Sequence, residues 1–326
     1  MSLPASGDAL YDAALEPLGK YLGRKNLVEF VANRPGEAGL LLLKQTKAGK
    51  VEEWSWEKAP ELSLSYWSKL CHILANKKGH HFDEVAQPRV STQLPGGHRF
   101  EAMMGKVVDD GIGVAIRMKR RAGATLDDFG LTGALRQQVQ VAVAAGANVL
   151  ISGGTSTGKT TFLNLLLELI PLDRRLFVME DTKELEVPHH NLTRRLISRN
   201  ETGCAVGYAE VFDHAMRMRP DQVLLGELSI PNTYPALRLL NTGHRGFFAT
   251  IHADSPELAL GEAFYQNLAL GGHGELSPAY VREYLQRTVD LVVQLGHLEG
   301  ASRRVTALWW RGELQEVEAG KGRAAA

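Results

Sequence analysis

The first 120 residues of the chain carry apolar positions at two different spacings, without regular alternation of helices and strands. Apolar side chains on every second position, as at Trp54 and Trp56, indicate a strand, whereas the spacing of three and four from Leu62 to Leu74 predicts an amphipathic helix over 61–76. Turn residues at 33–36 and 95–97 separate the remaining apolar runs. Further strands are predicted at 27–31, 39–43, 99–104 and 113–121. This pattern predicts an α+β module with antiparallel pairing.

From Gly133 onward, short apolar runs alternate with amphipathic stretches. Ser277 is a predicted helix cap because Pro278 follows it at a position where a helix tolerates proline. Strands are predicted at 147–152, 175–180, 222–226, 246–251, 288–296 and 303–310, and helices at 133–145, 209–218 and 232–241. Such alternation predicts an α/β domain with a mostly parallel sheet and helices on both faces. We therefore expect an N-terminal domain over 1–120, a linker over 121–132 and a larger domain over 133–326.

The composition of the chain excludes several classes of protein but does not identify one. Hydrophobic residues make up 44% and charged residues 23% of the 326 positions, as is usual for a globular chain. The formal net charge is zero, which disfavours nucleic acid as a partner. No apolar run reaches the length of a bilayer span, the N-terminus lacks the features of a signal peptide, and the two cysteines, Cys71 and Cys204, form no framework. These features predict a reduced, cytoplasmic setting.

A glycine-rich segment beginning at Gly153 has the pattern G-x-x-x-x-G-K-[ST] of a phosphate-binding loop. The apolar run 148–152 before it reads as a buried strand, and 161–170 after it reads as a helix, which is the context this loop requires. Backbone N–H groups and the positive end of the helix are expected to bind nucleotide phosphates. The predicted ATP-binding residues of this segment are Gly154, Thr155, Ser156, Thr157, Gly158, Lys159, Thr160 and Thr161. Lys159 is expected on the β- and γ-phosphates, and the Thr160 hydroxyl on Mg²⁺.

Polar clusters follow three other predicted strands, and ligands of open α/β sheets bind beyond the carboxyl ends of strands. Glu180 to Glu184 follow one strand, Glu227 follows the next, and His252 follows a third. The aspartate that usually holds the metal is missing after 223–225, and Glu227 is the candidate to replace it. Either Glu227 or Glu184 is able to orient the attacking water, and the sequence does not choose between them. His252 is read equally well as a structural residue or as a contact of the γ-phosphate.

Two arginines, Arg217 and Arg219, precede the strand at 222–226. One interpretation makes them ordinary surface residues of a helix end. The other makes them contacts to a neighbouring subunit, because an arginine delivered across an interface stabilises charge in phosphoryl transfer.

Four ordered segments resemble the secretion or traffic ATPases of the type II/type IV secretion superfamily. They are similar to its Walker A, Asp box, Walker B and His box motifs, and the VirB-type type IV secretion and conjugation branch matches best. The segments lie at 151–161, 179–188, 216–228 and 241–256, and the stretches 33–37 and 94–99 resemble the N-terminal domain of the same family. A related pilus-assembly motor is the competing branch.

The resemblance implies a RecA-like C-terminal domain, ATP and Mg²⁺, and a homo-hexamer at the cytoplasmic face of the inner membrane. Other secretion ATPases and inner-membrane components are the implied partners, with peripheral membrane association. Residue by residue, it implies that Lys159, Glu184, Glu227 and His252 are catalytic, and that Thr160, Glu180 and Asp181 hold the metal. Arg117 is similar to an N-terminal-domain arginine that reaches the nucleotide, and His244 matches the His box together with His252.

One position departs from the family pattern. Ser229 stands where the family usually has an arginine. The departure motivates an alternative hypothesis, a structural subunit that binds nucleotide but hydrolyses little. A third hypothesis, a DNA-translocating motor, is disfavoured by the zero net charge and by the lack of a dense basic and aromatic stripe.

Overall fold

The computed structural model describes residues 7–46, 49–77, 79, 81–119, 123–197, 206–297 and 303–317. These residues form two compact units, one ending at Lys119 and the other beginning at Gly123. The basic residues at 120–121, and Cys204, lie outside the described ranges. Within those ranges, no helix combines the length and the apolar character needed to cross a bilayer.

The N-terminal unit is built on a six-stranded antiparallel sheet in the order β3-β2-β1-β6-β5-β4. Its strands are β1 (Leu27–Ala32), β2 (Glu37–Thr46), β3 (Gly49–Lys58), β4 (Arg89–Gln93), β5 (Arg99–Met104) and β6 (Ile112–Arg117), and its helices are α1 (Ala9–Leu22) and α2 (Leu64–Lys77). Phe30 of β1 packs between Tyr21 and Trp67, with ring centroids 5.5 and 6.1 Å away. All three side chains are at most 1% exposed, so this aromatic cluster joins the helices to the sheet.

The antiparallel α+β prediction for this unit is confirmed, but its elements differ in detail. Helix α1, whose interior contains Pro17, and strand β4 were not predicted from the sequence. Proline lacks the backbone N–H donor that a helix interior uses, so Pro17 weakens the local signal for a helix. The apolar residues of α1 are nevertheless buried. The strand predicted over 113–121 ends at Arg117.

The C-terminal unit contains an eight-stranded sheet in the order β14-β13-β12-β7-β11-β10-β8-β9. The strands are β7 (Val149–Gly153), β8 (Leu176–Glu180), β9 (Leu192–Leu196), β10 (Gln222–Leu225), β11 (Phe247–Ile251), β12 (Leu291–His297), β13 (Arg303–Trp310) and β14 (Glu313–Glu316). The helices are α3 (Gly133–Ala144), α4 (Lys159–Leu167), α5 (Tyr208–Met218), α6 (Ile230–Asn241), α7 (Pro256–Ala259), α8 (Glu262–Leu268) and α9 (Pro278–Thr288). Strands β7 to β12 run parallel, while β13 and β14 join antiparallel at one end.

The central strands of this sheet are buried on both faces. Every residue of β7, β8, β10 and β11 is buried, which explains why these strands read as continuous apolar runs. Along β7 the side chains alternate between two cores: Leu150 packs on one side of the sheet, and Val149 and Ile151 on the other. The predicted α/β fold of this unit is therefore confirmed.

Residues from the predicted linker pack into the core of the C-terminal unit. Leu126, Phe129 and Leu131 are buried there, around a 3-10 turn at Asp127–Phe129. Phe129 contacts the ring of Phe162 in α4, with centroids 5.1 Å apart. This segment therefore lies directly behind the start of α4, where the glycine-rich loop ends.

Candidate nucleotide-binding site

The glycine-rich loop connects the end of β7 to the start of α4, as its pattern requires. A side chain at Gly153 would bring its Cβ to 2.7 Å from the Leu295 carbonyl oxygen, so only glycine fits beside β12. Gly158 has a φ of +90° immediately before α4, a left-handed conformation that favours glycine. Between them, the Thr157 hydroxyl donates to the Gly154 carbonyl at 2.9 Å. The first N–H groups of α4 have no acceptor within the helix, which makes this end suited to an anion.

Lys159 is the first residue of α4 and folds back over the loop. Its Nζ donates to the carbonyls of Gly153 at 2.8 Å and Gly154 at 2.9 Å, and it also lies 3.2 Å from Nδ1 of His252. Only 8% of the residue is exposed. Burial lowers the pKa of Lys159, and the charge of Glu227 opposes this effect. A buried ammonium next to a helix N-terminus is an electrostatic setting that an anionic phosphate would relieve.

The strand order places the polar clusters side by side. Strand β11 lies between β7 and β10, and β10 pairs with β8. The carboxyl ends of these four parallel strands therefore lie side by side, and they lead to Lys159, His252, Glu227 and Glu180. His252 Nε2 lies 2.7 Å from Glu227 Oε1. An ammonium has no lone pair, so Nδ1 of His252 accepts from Lys159 while its Nε2–H donates to Glu227. The geometry thus assigns one tautomer of His252 and a continuous chain from Lys159 to Glu227.

Glu180 organises the loop that follows β8. It is 2% exposed, and its Oε1 accepts from the backbone N–H groups of Glu184 at 2.8 Å and Leu185 at 2.7 Å. Its other oxygen pairs with Arg194 of β9, which also donates to the Leu185 carbonyl at 2.9 Å. Burial raises the pKa of Glu180, against the opposing effect of these hydrogen bonds and of Arg194. Both carboxylate oxygens therefore have partners within the chain, and they hold the loop that carries Asp181.

The remaining predicted ligands are more accessible than Glu180. Thr160 and Thr161 in the first turn of α4, and Asp181 and Glu184 in the loop after β8, are all half-buried. Asn164 of α4 fastens the Glu184 segment, because its amide donates to the Glu184 carbonyl and accepts from Glu186 N–H, at 3.2 and 2.8 Å. Within the described parts of the chain, no group of three or more His, Cys, Asp or Glu residues is able to enclose a metal ion. Oxygen donors such as Thr160 and Asp181, completed by phosphate and water, fit Mg²⁺, which usually keeps such partners.

Three other predicted residues of the C-terminal unit, His244, Arg217 and Arg219, are not brought to this edge. His244 precedes β11 and therefore lies at the opposite end of that strand from His252. His244 is half-buried, its Nε2 atom is buried without a hydrogen-bond partner among the described residues, and burial lowers the pKa of the imidazole. Arg217 and Arg219 end α5 just before β10, again at the opposite edge. Arg117 belongs to β6 in the N-terminal unit, where it pairs in register with Arg99 and Glu29, so its role at the nucleotide stays a prediction.

Sequence reasoning missed four residues that shape the site. Asn164, Arg194, Asn232 and Thr250 hold the loops that carry the predicted catalytic groups. Arg194 and Thr250 act across strands, so no local pattern reveals their partners. Asn232 does have a signal, since it stands three residues after Ser229 where a capping residue is common.

A strand, a glycine-rich loop and a helix at the end of a parallel sheet, with Lys159 at the helix start, define a P-loop nucleotide-binding protein. The chain belongs to the family of Type II/IV secretion system proteins, whose model matches residues 95–268.

Curated relatives align over most of the chain. The type IV secretion system protein VirB11 of Bartonella henselae is 28% identical over 335 residues, covering 91% of each chain. The type IV secretion system protein PtlH of Bordetella pertussis is 28% identical, covering 94% of this chain and 96% of its own. The crystal structure of the pilus retraction motor PilT with bound ADP shares the fold, with a TM-score of 0.61 and 17% identity over 92% of this chain and 82% of that one.

Proposed function

We propose that the protein is a Mg²⁺-dependent ATPase that powers a type IV secretion or conjugation machinery. The observation that carries the proposal is the chain of contacts from Lys159 through His252 to Glu227, at 3.2 and 2.7 Å. It joins the phosphate-binding loop after β7 to a carboxylate just beyond β10, two strands away, and hydrolysis needs such a group near the phosphates to orient water. Family membership and the alignment with VirB11 and PtlH over at least 91% of the chain support the secretion setting.

The residues divide the chemistry among them. Lys159 and the first N–H groups of α4 bind the β- and γ-phosphates, with residues 154–158 wrapping the phosphate chain. Thr160 and Asp181 hold Mg²⁺, which when bound neutralises charge on the phosphate oxygens. Glu180, although predicted as a metal ligand, holds the Asp181 loop through the partners described above. Thr161 completes the binding helix, and Arg117 is proposed to contact the nucleotide from the N-terminal unit.

Between the two candidates for orienting the water, we propose Glu227. Its carboxylate contacts His252, whose other nitrogen contacts Lys159, so it is linked to the group that binds the γ-phosphate. Glu184 uses its backbone to close the Glu180 loop, and both its N–H and its carbonyl are engaged there. We assign Glu184 to the support of that loop.

We further propose that the active form is a homo-hexamer associated with the cytoplasmic face of the inner membrane. The resemblance to VirB-type ATPases supports this assembly, together with contacts to other secretion ATPases and inner-membrane components. The formal net charge of zero disfavours nucleic acid as the direct ligand.

The decisive experiment measures the ATPase rate against protein concentration, with and without Mg²⁺, for the wild type and for Lys159→Ala. A rate that rises cooperatively with concentration, needs Mg²⁺ and disappears in the variant is the expected result. Tight ATP binding by a verified hexamer without turnover would instead favour a nucleotide-binding structural subunit, the reading that Ser229 motivates. If Lys159→Ala hydrolysed ATP as fast as the wild type, ATP hydrolysis would not take place at this site.

A further inference from the structure

Asn232, in the first turn of α6, contacts the backbone that carries Glu227. Its Nδ2 donates to the Glu227 carbonyl at 2.9 Å, and its Oδ1 accepts from the Ser229 N–H at 2.9 Å. The residue is fully buried, with 0% exposure. Both polar ends of this amide are thus engaged by the loop between β10 and α6.

Thr250 of β11 holds the same loop from the other side. Its hydroxyl donates to the Gly226 carbonyl at 2.7 Å, and its own carbonyl accepts from the Leu228 N–H at 2.7 Å. The peptide groups before and after Glu227 therefore have fixed partners. Because the direction of a side chain follows from the backbone at its Cα, these bonds also set where the Glu227 carboxylate points.

A helix cap explains only half of what Asn232 does. In a capping box, the side chain of the third helical residue accepts from the N–H of the cap, and glutamate or glutamine is the usual choice. The bond from Ser229 N–H to Oδ1 is of that kind. The second bond, from Nδ2 to the Glu227 carbonyl, needs a donor, and a carboxylate has none at neutral pH.

We propose that Asn232 is a positioning residue that aims Glu227 at His252 through the Glu227 carbonyl. The proposal rests on the proposed function, in which Glu227 orients the water. In this chain the loop has Ser229 where an arginine is expected from the family pattern, and Asn232 bonds to the backbone of both Glu227 and Ser229 in that loop.

Asn232→Asp removes the donor to the Glu227 carbonyl and keeps the acceptor for Ser229 N–H. Because it also places a carboxylate at a fully buried position, circular dichroism first checks that the variant is folded. We expect kcat for ATP to fall by roughly 10²-fold, the cost of a displacement of about 1 Å at a reacting group. The dissociation constant of ADP is expected to stay within about twofold, since no phosphate contact changes. Thr233→Val is the matched control, because it removes a buried hydrogen bond of 2.7 Å to the Ser229 carbonyl in the same turn without touching Glu227.

A double-variant cycle separates positioning from general destabilisation. In a Glu227→Gln background, Asn232→Asp is expected to cause little further loss of kcat, since it acts only through Glu227. Additive losses, or an equal loss in Thr233→Val, would overturn the proposal.

A second readout does not depend on turnover. The imidazole ¹⁵N shifts of His252 report its bond to Glu227 in the unliganded protein, with assignment by subtraction of the His252→Gln spectrum. These shifts are expected to change in Asn232→Asp and to stay unchanged in Thr233→Val. If the wild type binds ATP without hydrolysing it, the proposed function fails, while an unchanged His252 signal in Asn232→Asp overturns the positioning role by itself.

Discussion

The ammonium of Lys159 has three N–H donors, and groups of the chain itself accept from all three. Two donate to the Gly153 and Gly154 carbonyls, and the third points to Nδ1 of His252. The nucleotide binding proposed for this loop would therefore exchange partners of Lys159. An exchange at the third donor would also free Nδ1 of His252, whose Nε2 contacts Glu227.

This chain of contacts makes His252 sensitive to substitution. We expect His252→Ala to lower kcat for ATP by about tenfold to a hundredfold, because Glu227 loses a hydrogen bond worth about 1–3 kcal/mol in this partly charged setting. The expected change in ADP affinity is small, since Lys159 keeps its place in the loop. Steady-state kinetics and ADP titration test this, with the exposed His190→Ala as control. Equal kcat values for His252→Ala and His190→Ala would show that His252 takes no part in ATP hydrolysis.

Much of the candidate site could be predicted at the residue scale. The pattern from Gly153 to Thr160 is local, and the Lys159 placement follows from it directly. The roles of Arg194 and Asn232 could not be predicted, because their importance lies in contacts with Glu180 and with the Glu227 carbonyl that only the folded chain creates. The sequence likewise does not show that the Glu180 carboxylate is buried against Arg194, because Arg194 lies on another strand.

At the scale of elements, the loop between β7 and α4 depends on close contact with β12. The Cβ of an alanine at Gly153 would lie 2.6 Å from the Thr157 hydroxyl and 2.7 Å from the Leu295 carbonyl oxygen. Backbone at that distance has to move, so we expect Gly153→Ala to lower the free energy of unfolding by about 1–3 kcal/mol.

Gly154→Ala provides the neighbouring control, since its Cβ would meet Thr157 only at 3.9 Å. Thermal unfolding of both variants without nucleotide makes the comparison. A stability of Gly153→Ala as high as that of Gly154→Ala would contradict the packing argument.

The backbone just after β6 donates a hydrogen bond to His98, and protonation of the His98 imidazole at the accepting nitrogen would break this bond. Nδ1 of His98 accepts from the Lys119 N–H at 3.0 Å, and burial, followed by the charge of Lys119, lowers the pKa of His98 below its ordinary value of 6.5. Because the pKa of His98 is lower in the folded than in the unfolded chain, the unfolded chain binds the proton at a higher pH as the pH falls. The stability from this group is therefore complete above about pH 6.5 and is lost as the pH falls toward the folded pKa.

His98→Asn is expected to reduce this dependence, because an amide oxygen accepts a hydrogen bond without titrating. Between pH 7.5 and 5.5 the wild type is expected to lose on the order of 1 kcal/mol more than the variant. Urea unfolding at the two pH values measures the difference, and the exposed His81→Asn is the control. A His98→Asn profile parallel to that of the wild type would assign the pH dependence to other groups.

Elements were predicted best where two signals agreed. Strands β7, β8, β10 and β11 combine continuous apolar runs with flanking glycine or polar clusters. Helix α1 was missed because Pro17 opposes its apolar spacing, and packing on β1 overrides that local cost. The short edge strand β9 is only partly buried, so it carries no strong pattern of its own.

At the scale of the whole molecule, the proposed hexamer predicts coupling between copies of the chain. When Lys159→Ala is mixed with wild type and allowed to exchange subunits, the ATPase rate is expected to fall more steeply than the wild-type fraction. The physical reason is that a site completed by its neighbours loses activity when a neighbour is inactive. Light scattering checks that the mixture has six times the 35.8 kDa of one chain. A strictly proportional fall in rate would indicate independent sites.

The double burial of the central C-terminal strands has a consequence for the order in which the protein opens. Core strands exchange their amide protons only when the whole unit unfolds, whereas fraying edges exchange early. Every residue of β7, β10 and β11 is buried, and these strands lead directly into the glycine-rich loop, Glu227 and His252. The proposed catalytic residues Lys159, Glu227 and His252 are thus anchored to the slowest-exchanging amides, and local fluctuations at the edge strand β14 leave them in place.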